Sequence, residues 1–181
     1  VTQQYWVQGV ELVKPDIGMV EEIRAYRQAM VAANSSMDGM GTLRATDDPA
    51  EWLAAIRAME SPDTVPEGLV TAEQFVYVRE RDGRIVGKIQ YRHRLNDHLL
   101  KYGGHIGYSI RPDERRKGYA KAMLKDCLAY CRAKGLDRAL ITCLEANEGS
   151  RRTILANGGF YESTEYNALE DKRLQRYWVQ L

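Results

Sequence analysis

The chain has 181 residues, which fits one domain from residue 1 to residue 181, and its 44% hydrophobic and 28% charged residues are typical of a globular protein. Twenty-six basic residues against 25 acidic ones leave a formal net charge of +1, which argues against binding to nucleic acid or an anionic membrane through a global positive field. No apolar run approaches the length of a membrane span and no secretion signal is evident, so we expect a cytoplasmic location without a membrane partner.

Three cysteines, Cys127, Cys131 and Cys143, form an odd set without the spacing of a disulfide framework. This predicts reduced thiols. Cys127 and Cys131 lie one helical turn apart, but no second Cys or His pair at metal-binding spacing accompanies them. The three histidines match no metal motif either. Packing of the thiols is therefore favoured over metal binding, and we predict no metal site.

Two helices are predicted ahead of the first strands of the sheet. Apolar residues recur near helical spacing over residues 16–33. Residues 34–41 are rich in turn formers and predict a loop. Asp48 and Pro49 then begin a second predicted helix, which ends near Met59.

A β-hairpin and a third strand are predicted in the middle of the chain. β-Branched and aromatic residues mark strands at residues 74–78 and 85–92, and the Asp-Gly pair between them is typical of a hairpin turn. A third strand is predicted over residues 104–111, where Pro112 ends it.

The second half of the chain alternates helices and strands. Residues 118–134 carry one apolar stripe at helical spacing, and Gly135 ends this predicted helix. The elements that follow are a strand at 139–144, a short helix at 149–156 and closing strands at 160–166 and 173–180. A strand, a helix and a strand in succession imply a parallel βαβ unit inside an otherwise antiparallel sheet. The predicted fold is therefore a mixed α/β (α+β) architecture with a mostly antiparallel central sheet flanked by helices.

A strand, a basic turn and a helix start follow one another over residues 104–120. Unpaired N–H groups at a helix amino terminus, aimed inward by a turn, form an anion site that suits a pyrophosphate. Gly118 permits close approach of the backbone and Ala120 keeps the first turn uncluttered. Positive charge comes from Arg115, Arg116 and Lys117. The alternative interpretation of three neighbouring cations is a basic surface loop that caps a helix.

The motif Arg115-x-x-Gly118-x-Ala120, directly after a strand, resembles the acetyl-CoA signature of the GNAT superfamily of N-acetyltransferases. Residues 142–150 are similar to the fifth strand and following helix of that superfamily, and residues 158–160 to its Gly-Phe close. The order of elements fits from about Val10 to Leu181. The resemblance implies a GNAT-like fold and transfer of an acetyl group from acetyl-CoA, without a metal, to a primary amine of a small molecule or protein.

The same resemblance assigns the cofactor-binding residues. Ile110 and Arg111 would offer backbone groups to the pantetheine arm, Asn147 would hydrogen-bond that arm, and Ser150 would approach the sulfur. The pyrophosphate would be cradled by the turn, whose members are Arg115, Arg116, Lys117, Gly118, Tyr119 and Ala120. The loop around Gly41 would border the acceptor site.

One position departs from the superfamily pattern and leaves the proton transfers open. Many members carry a tyrosine seven positions after the asparagine, as general acid for the thiolate, and this chain has Ile154 there. Substitutes are Ser150, Tyr161 or water. The amine must also lose a proton before it reacts, since a lysine-type amine has a pKa near ~10.4. The candidate general bases are Glu145, His105 and His93.

The predicted catalytic residues are thus Glu145, His105 and Ser150. An alternative function is a non-catalytic acyl-CoA-binding module, which the isoleucine at position 154 favours. Nucleic-acid binding by the basic turn is disfavoured because no aromatic-basic stripe accompanies it. The resemblance also implies a possible homodimer.

Overall fold

A sheet of seven strands runs through the protein in the order β1-β2-β3-β4-β5-β7-β6 in the computed structural model, which describes residues 6–38 and 41–181. The strands are β1 (Val10–Val13), β2 (Ala72–Arg79), β3 (Arg84–Arg92), β4 (Ile106–Ile110), β5 (Arg138–Leu144), β6 (Gly159–Asn167) and β7 (Lys172–Gln180). The helices are α1 (Val20–Ala32), α2 (Pro49–Ala58), α3 (Tyr119–Ala133) and α4 (Glu148–Ala156). β4 and β5 are parallel and the other neighbours are antiparallel.

The predicted fold class is confirmed, and the structure adds elements that the sequence pattern did not reveal. β1 pairs with β2, although its four residues are too few for a clear alternation. Residues Leu99–Gly103 form a π-helical turn in the connection between β3 and β4. Short 3₁₀ turns occupy Ile17–Met19, Gly41–Arg44 and Pro112–Glu114. Residues 39 and 40 of the predicted loop lie outside the described residues.

Helices cover both faces of the sheet and enclose two apolar clusters. On one face α1 and α2 bury Tyr26 and Trp52 against β2 and β3. On the other face α3 and α4 bury Met123 and Ile154 against the middle strands. All three cysteines are buried free thiols. Among the described residues, none of the helices is long and apolar enough to cross a membrane.

The two parallel strands diverge immediately after they meet. β4 and β5 share a single registered pair, Ile106 with Ile141. Beyond that pair β4 stays bonded to β3 and β5 stays bonded to β7. A gap therefore opens in the sheet between the carboxyl ends of β4 and β5.

His105 closes the other end of this gap. Its N–H donates to the Leu140 carbonyl (2.7 Å), and its Nδ1 accepts from the Leu140 N–H (2.9 Å). The preceding residue, Gly104, has φ +68, and a Cβ placed there would lie 2.5 Å from the Leu140 carbonyl oxygen. Only glycine permits this approach, so the junction of the two strands depends on it.

We expect Gly104→Ala to lower the free energy of unfolding by about 2–4 kcal/mol, because left-handed strain and a backbone clash add together. Gly83→Ala is the matched control, since Gly83 has φ +65 and a Cβ added to it would meet nothing within 4 Å. This control variant should lose only about 1 kcal/mol of unfolding free energy. Equal losses in urea titrations of the two variants would show that the close approach contributes nothing.

Candidate active site

A continuous cleft of about 880 Å³ occupies the gap between β4 and β5. It extends from the amino terminus of α3, past the first turn of α4, to the π-helical turn and the β6–β7 connection. Eight of the residues assigned to cofactor binding line it, namely Ile110, Arg115, Arg116, Gly118, Tyr119, Ala120, Asn147 and Ser150. The predicted residues Arg111, Lys117, Glu145 and His105 are not among its lining residues.

The turn before α3 has the geometry of an anion-binding site. Arg116 has φ 62 and Gly118 has φ 87, so two residues of the turn are left-handed. Gly118 is the N-cap of α3 and offers no side-chain cap, which leaves the N–H groups of the first turn available to an anion. Arg115 and Arg116 add positive charge at the same end of the cleft.

An ion cluster beneath the turn holds it in this shape. Glu114 is only 2% exposed and accepts hydrogen bonds from Arg79 (2.9 Å), Arg84 (2.8 Å) and Lys117 (3.1 Å). Burial alone would raise the pKa of Glu114, but the bonds from Arg79 and Lys117 lower it. Lys117 thus pairs with Glu114 and does not line the cleft. Sequence reasoning missed Glu114, since nothing in its local pattern shows that distant arginines converge on it.

One edge of β4 presents free backbone groups to the gap. The Arg111 N–H donates to Val86 (2.8 Å) and the His105 carbonyl accepts from Arg92 (2.7 Å), so odd-numbered residues bond to β3. The N–H groups of Tyr108 and Ile110 therefore point away from β3 toward the gap. The Ile110 N–H can therefore bond an extended ligand. The Arg111 N–H, which was predicted to do the same, is already used by β3.

The first turn of α4 meets a tyrosine from β4. Asn147 caps the helix by accepting a hydrogen bond from the Ser150 N–H (3.1 Å). The Tyr108 hydroxyl lies 2.8 Å from Ser150 Oγ. Burial raises the pKa of Tyr108, so its hydroxyl stays protonated and able to donate. Ile154 is fully buried in the core.

Tyr108 was missed by sequence reasoning, although strand alternation puts it on the same face of β4 as the core residues Ile106 and Ile110. That alternation was the available signal. It could not show that α4 brings Ser150 to the phenol.

The two predicted bases outside the cleft already have protein partners. Glu145 is 44% exposed and its carboxylate accepts from Arg173 (2.7 Å). His105 is buried, and burial together with the nearby charges of Arg92 and Arg138 lowers its pKa to about 4. Since its Nδ1 already accepts from a backbone N–H, the structure gives His105 a role in joining the strands.

The other two residues considered for proton transfer are also engaged away from the cleft. His93 contacts Thr71 (2.8 Å) and Glu73 (2.9 Å) through its two ring nitrogens. Tyr161 is half exposed and its hydroxyl lies 2.8 Å from Thr164. Neither lines the cleft.

The far end of the cleft, which we call the polar end, is formed by Asp38, Arg92, His98, Tyr102, Asn167 and Glu170. The His98 ring packs edge-on against Tyr102 with the ring centres 5.5 Å apart. Ser35 and Ser36 line the cleft beside Asp38, so the described part of the predicted loop borders it. Within the described residues, no group of three His, Cys, Asp or Glu side chains has metal-binding geometry.

Comparison with known sequences agrees with the geometry of the cleft. The profile of the acetyltransferase (GNAT) family matches residues 39–160. The chain belongs to the GNAT family. The predicted enzyme class, acetyltransferase, is confirmed with it. A sequence comparison with curated proteins returned no match.

Solved structures show the same GNAT fold over nearly the whole chain. Ribosomal-protein-S5-alanine acetyltransferase from Vibrio fischeri has a TM-score of 0.72 at 16% identity, over 97% of this chain and 95% of its own. RimJ from Mycobacterium smegmatis, in complex with CoA-disulfide, has a TM-score of 0.71 at 20% identity, over 94% and 81%. The microcin C7 self-immunity acetyltransferase MccE, in complex with acetyl-CoA and AMP, has a TM-score of 0.67 at 17% identity, over 97% and 94%.

We expect Glu114→Gln to cost about 1–3 kcal/mol of unfolding free energy, because it removes a buried carboxylate that accepts hydrogen bonds from three cations. Arg79 keeps its pairing with Asp82 and Arg84 keeps Asp113, so neither arginine is left unpaired. Asp113→Asn is the matched control. Asp113 is 56% exposed and pairs with the same Arg84, so its loss should cost less than about 1 kcal/mol. Chemical denaturation of both variants measures the difference, and a Glu114 effect as small as the control would contradict the supporting role.

Proposed function

We propose that the chain transfers an acetyl group from acetyl-CoA to a primary amine, directly and within a ternary complex. The observation that carries this proposal is the continuity of the cleft. One end is an anion-binding turn, the middle has free backbone donors and a buried phenol, and the other end is polar and open. These are the features needed to hold a pyrophosphate, an extended arm, a thioester and an acceptor in that order.

The residues present fit acetyl-CoA. The N–H groups at the start of α3, with Arg115 and Arg116, suit the pyrophosphate. The free edge of β4 at Tyr108 and Ile110 suits the amide groups of the pantetheine arm, because both are extended hydrogen-bonding chains. Bound acetyl-CoA supplies the acetyl group as a thioester.

Tyr108 and Ser150 are the proposed proton donors for the departing thiolate. Their hydroxyls are 2.8 Å apart beside the first turn of α4, the helix that carries a tyrosine in many GNAT proteins. Here the phenol comes from β4, while Ile154 fills the core. Ser150, predicted to approach the sulfur, keeps that role.

Direct transfer is favoured by the state of the cleft cysteine. Cys143 lines the cleft, but burial raises the pKa of its thiol. A thiol that stays protonated is a poor nucleophile, so an acyl-cysteine route is disfavoured.

The acceptor amine must lose its proton at the polar end. His98 lines that end with an exposed ring, whereas Glu145 and His105 do not line the cleft. Histidine titrates in the physiological range and can accept a proton directly or through water. We therefore place the proton-accepting role on His98 in preference to Glu145 and His105.

Gly118→Asp should abolish acetyl-CoA binding, because it puts a carboxylate and a Cβ where the backbone must approach a pyrophosphate. Gly135→Asp is the matched control. Gly135 lies beyond the other end of α3 with φ +92 and open space around it, so the same left-handed strain is introduced away from the cleft. Titration calorimetry with acetyl-CoA should detect binding to the control only. Retained binding by Gly118→Asp would overturn the cofactor site.

Tyr108→Phe should lower kcat by about 10²-fold or more and leave the KM for acetyl-CoA nearly unchanged, since it removes a proton donor and keeps the ring. Tyr161→Phe deletes the same atom outside the cleft and should behave as the parent. CoA thiol release with an accepted amine gives both constants. A kcat unaffected by loss of the Tyr108 hydroxyl would exclude it as the general acid.

A further inference from the structure

Arg92 places a buried guanidinium at the polar end of the cleft. It is the last residue of β3 and lines the cleft wall. Its Nη1 donates to the carbonyls of Gly103 (2.9 Å) and Gly104 (3.2 Å) and so steadies the π-helical turn. Burial lowers the pKa of Arg92, and the charge of Asp38 partly opposes this effect.

The remaining donors of this guanidinium have no protein acceptor among residues 6–38 and 41–181. Arg92 forms no ion pair with these residues. Its Nε and Nη2 donate no hydrogen bond to them, and neither atom is fully buried. These donors are therefore open to the cleft. Arginine presents its N–H groups as a planar fork that matches a carboxylate, and such charge-assisted bonds are strong where water is partly excluded.

Two lysines near Arg92 have different surroundings. Lys172, which also lines the cleft, is half exposed and lies 3.3 Å from Glu170. Lys88 is on the same face of β3 as Arg92, but it is fully buried with its Nζ 3.4 Å from the centre of the Trp52 ring, and burial lowers its pKa. Of these three side chains, Arg92 is the one that lines the cleft without a carboxylate partner among the described residues.

Arg92 and Tyr108 lie on neighbouring strands but on opposite faces of the sheet. The backbone N–H of Arg92 donates to the His105 carbonyl, and Tyr108 lies three residues further along β4, so the two backbones are roughly 10 Å apart at the rise of a strand. Alternation puts Arg92 on the face of the sheet covered by α1 and α2, whereas Tyr108 meets α4 on the opposite face. An acceptor held by Arg92 would thus reach the gap from the side opposite the proton donors.

We propose that the acceptor is a small primary amine that carries a carboxylate, and that Arg92 binds this carboxylate at the polar end. The proposal rests on the acetyl-transfer function above and names its substrate class. This class includes α-amino acids and short ω-amino acids, which differ in the separation of amine and carboxylate. Polyamines and uncharged amines lack the group that Arg92 recognises.

The test compares acceptors that differ only in the carboxylate. Phenylalanine, lysine, 4-aminobutanoate and 6-aminohexanoate are each assayed beside the corresponding carboxamide and decarboxylated amine, by CoA thiol release from the full chain. At least one acid should exceed its two partners in kcat/KM by about 10- to 100-fold. Calorimetry of the same acid with the CoA-saturated protein should show the same preference without turnover.

Variants assign the preference to Arg92. Arg92→Gln should remove the discrimination between acid and carboxamide and raise the KM for the acid, while acetyl-CoA binding stays near the parent value. The melting temperature should fall because the bonds from Nη1 to Gly103 and Gly104 are lost, but acetyl-CoA should still raise it. Arg92→Lys keeps the charge but loses the fork and should retain only part of the preference. Arg94→Gln removes an exposed arginine outside the cleft wall and should leave the discrimination intact.

The outcomes separate this inference from the proposed function. Carboxamides or plain amines used as well as the acids would overturn the carboxylate subsite and leave acetyl transfer standing. Transfer to peptide amino termini but not to free acids would do the same. If Arg92→Gln still preferred the acid to its carboxamide, Arg92 would not be the residue that binds the carboxylate. Failure of every acceptor to react or bind, despite acetyl-CoA binding, would overturn both proposals.

Discussion

The divergence of β4 from β5 is the constraint on which the rest of the molecule depends. The strands share one registered pair and then separate, so the middle of the sheet contains a gap with unpaired backbone groups along β4. In a continuous sheet those groups would be satisfied by the neighbouring strand and no ligand could bind them. Gly104 and His105 hold the closed end of the gap by close contact with Leu140, while the turn before α3 lies at the open end. The cleft occupies this one opening, and the proposed sites for cofactor, proton donors and acceptor follow one another along it.

Some charged side chains of the structure hold the fold together, and others line the cleft. Glu114, buried beneath the turn, gathers arginines from the β2–β3 hairpin and so ties the turn to the sheet. Arg115 and Arg116 line the cleft outside this ion cluster, and Arg115 donates to the Ile110 carbonyl (3.1 Å) and to Ser35 Oγ (3.0 Å). Arg92 does both, since one nitrogen supports the π-helical turn and the others face the cleft. This division leaves positive charge at the cleft although the chain as a whole is near neutral.

The helices, hairpin and parallel unit could be predicted because each leaves a periodic pattern in a short stretch of sequence. The turn before α3, which the sequence predicts to bind a pyrophosphate, could be located for a related reason. Its predicted function depends on backbone N–H groups and on residues within a few positions of one another, so the motif is local. β1 and the π-helical turn left no such pattern, because a four-residue strand and a single turn show too few repeats.

The sequence by itself determined the fold class, the family resemblance and the position of the turn before α3, all of which depend on neighbouring residues. Only the tertiary structure decided which side chains share the cleft. Tyr108 meets Ser150 across 42 positions, and Arg92 reaches the polar end through the pairing of β3 with β4. Conversely, His105 and Glu145 had suitable chemistry but are engaged by partners distant in sequence, Leu140 and Arg173. Whether a titratable group is free or occupied depends on what packs against it, and local sequence carries no record of that contact.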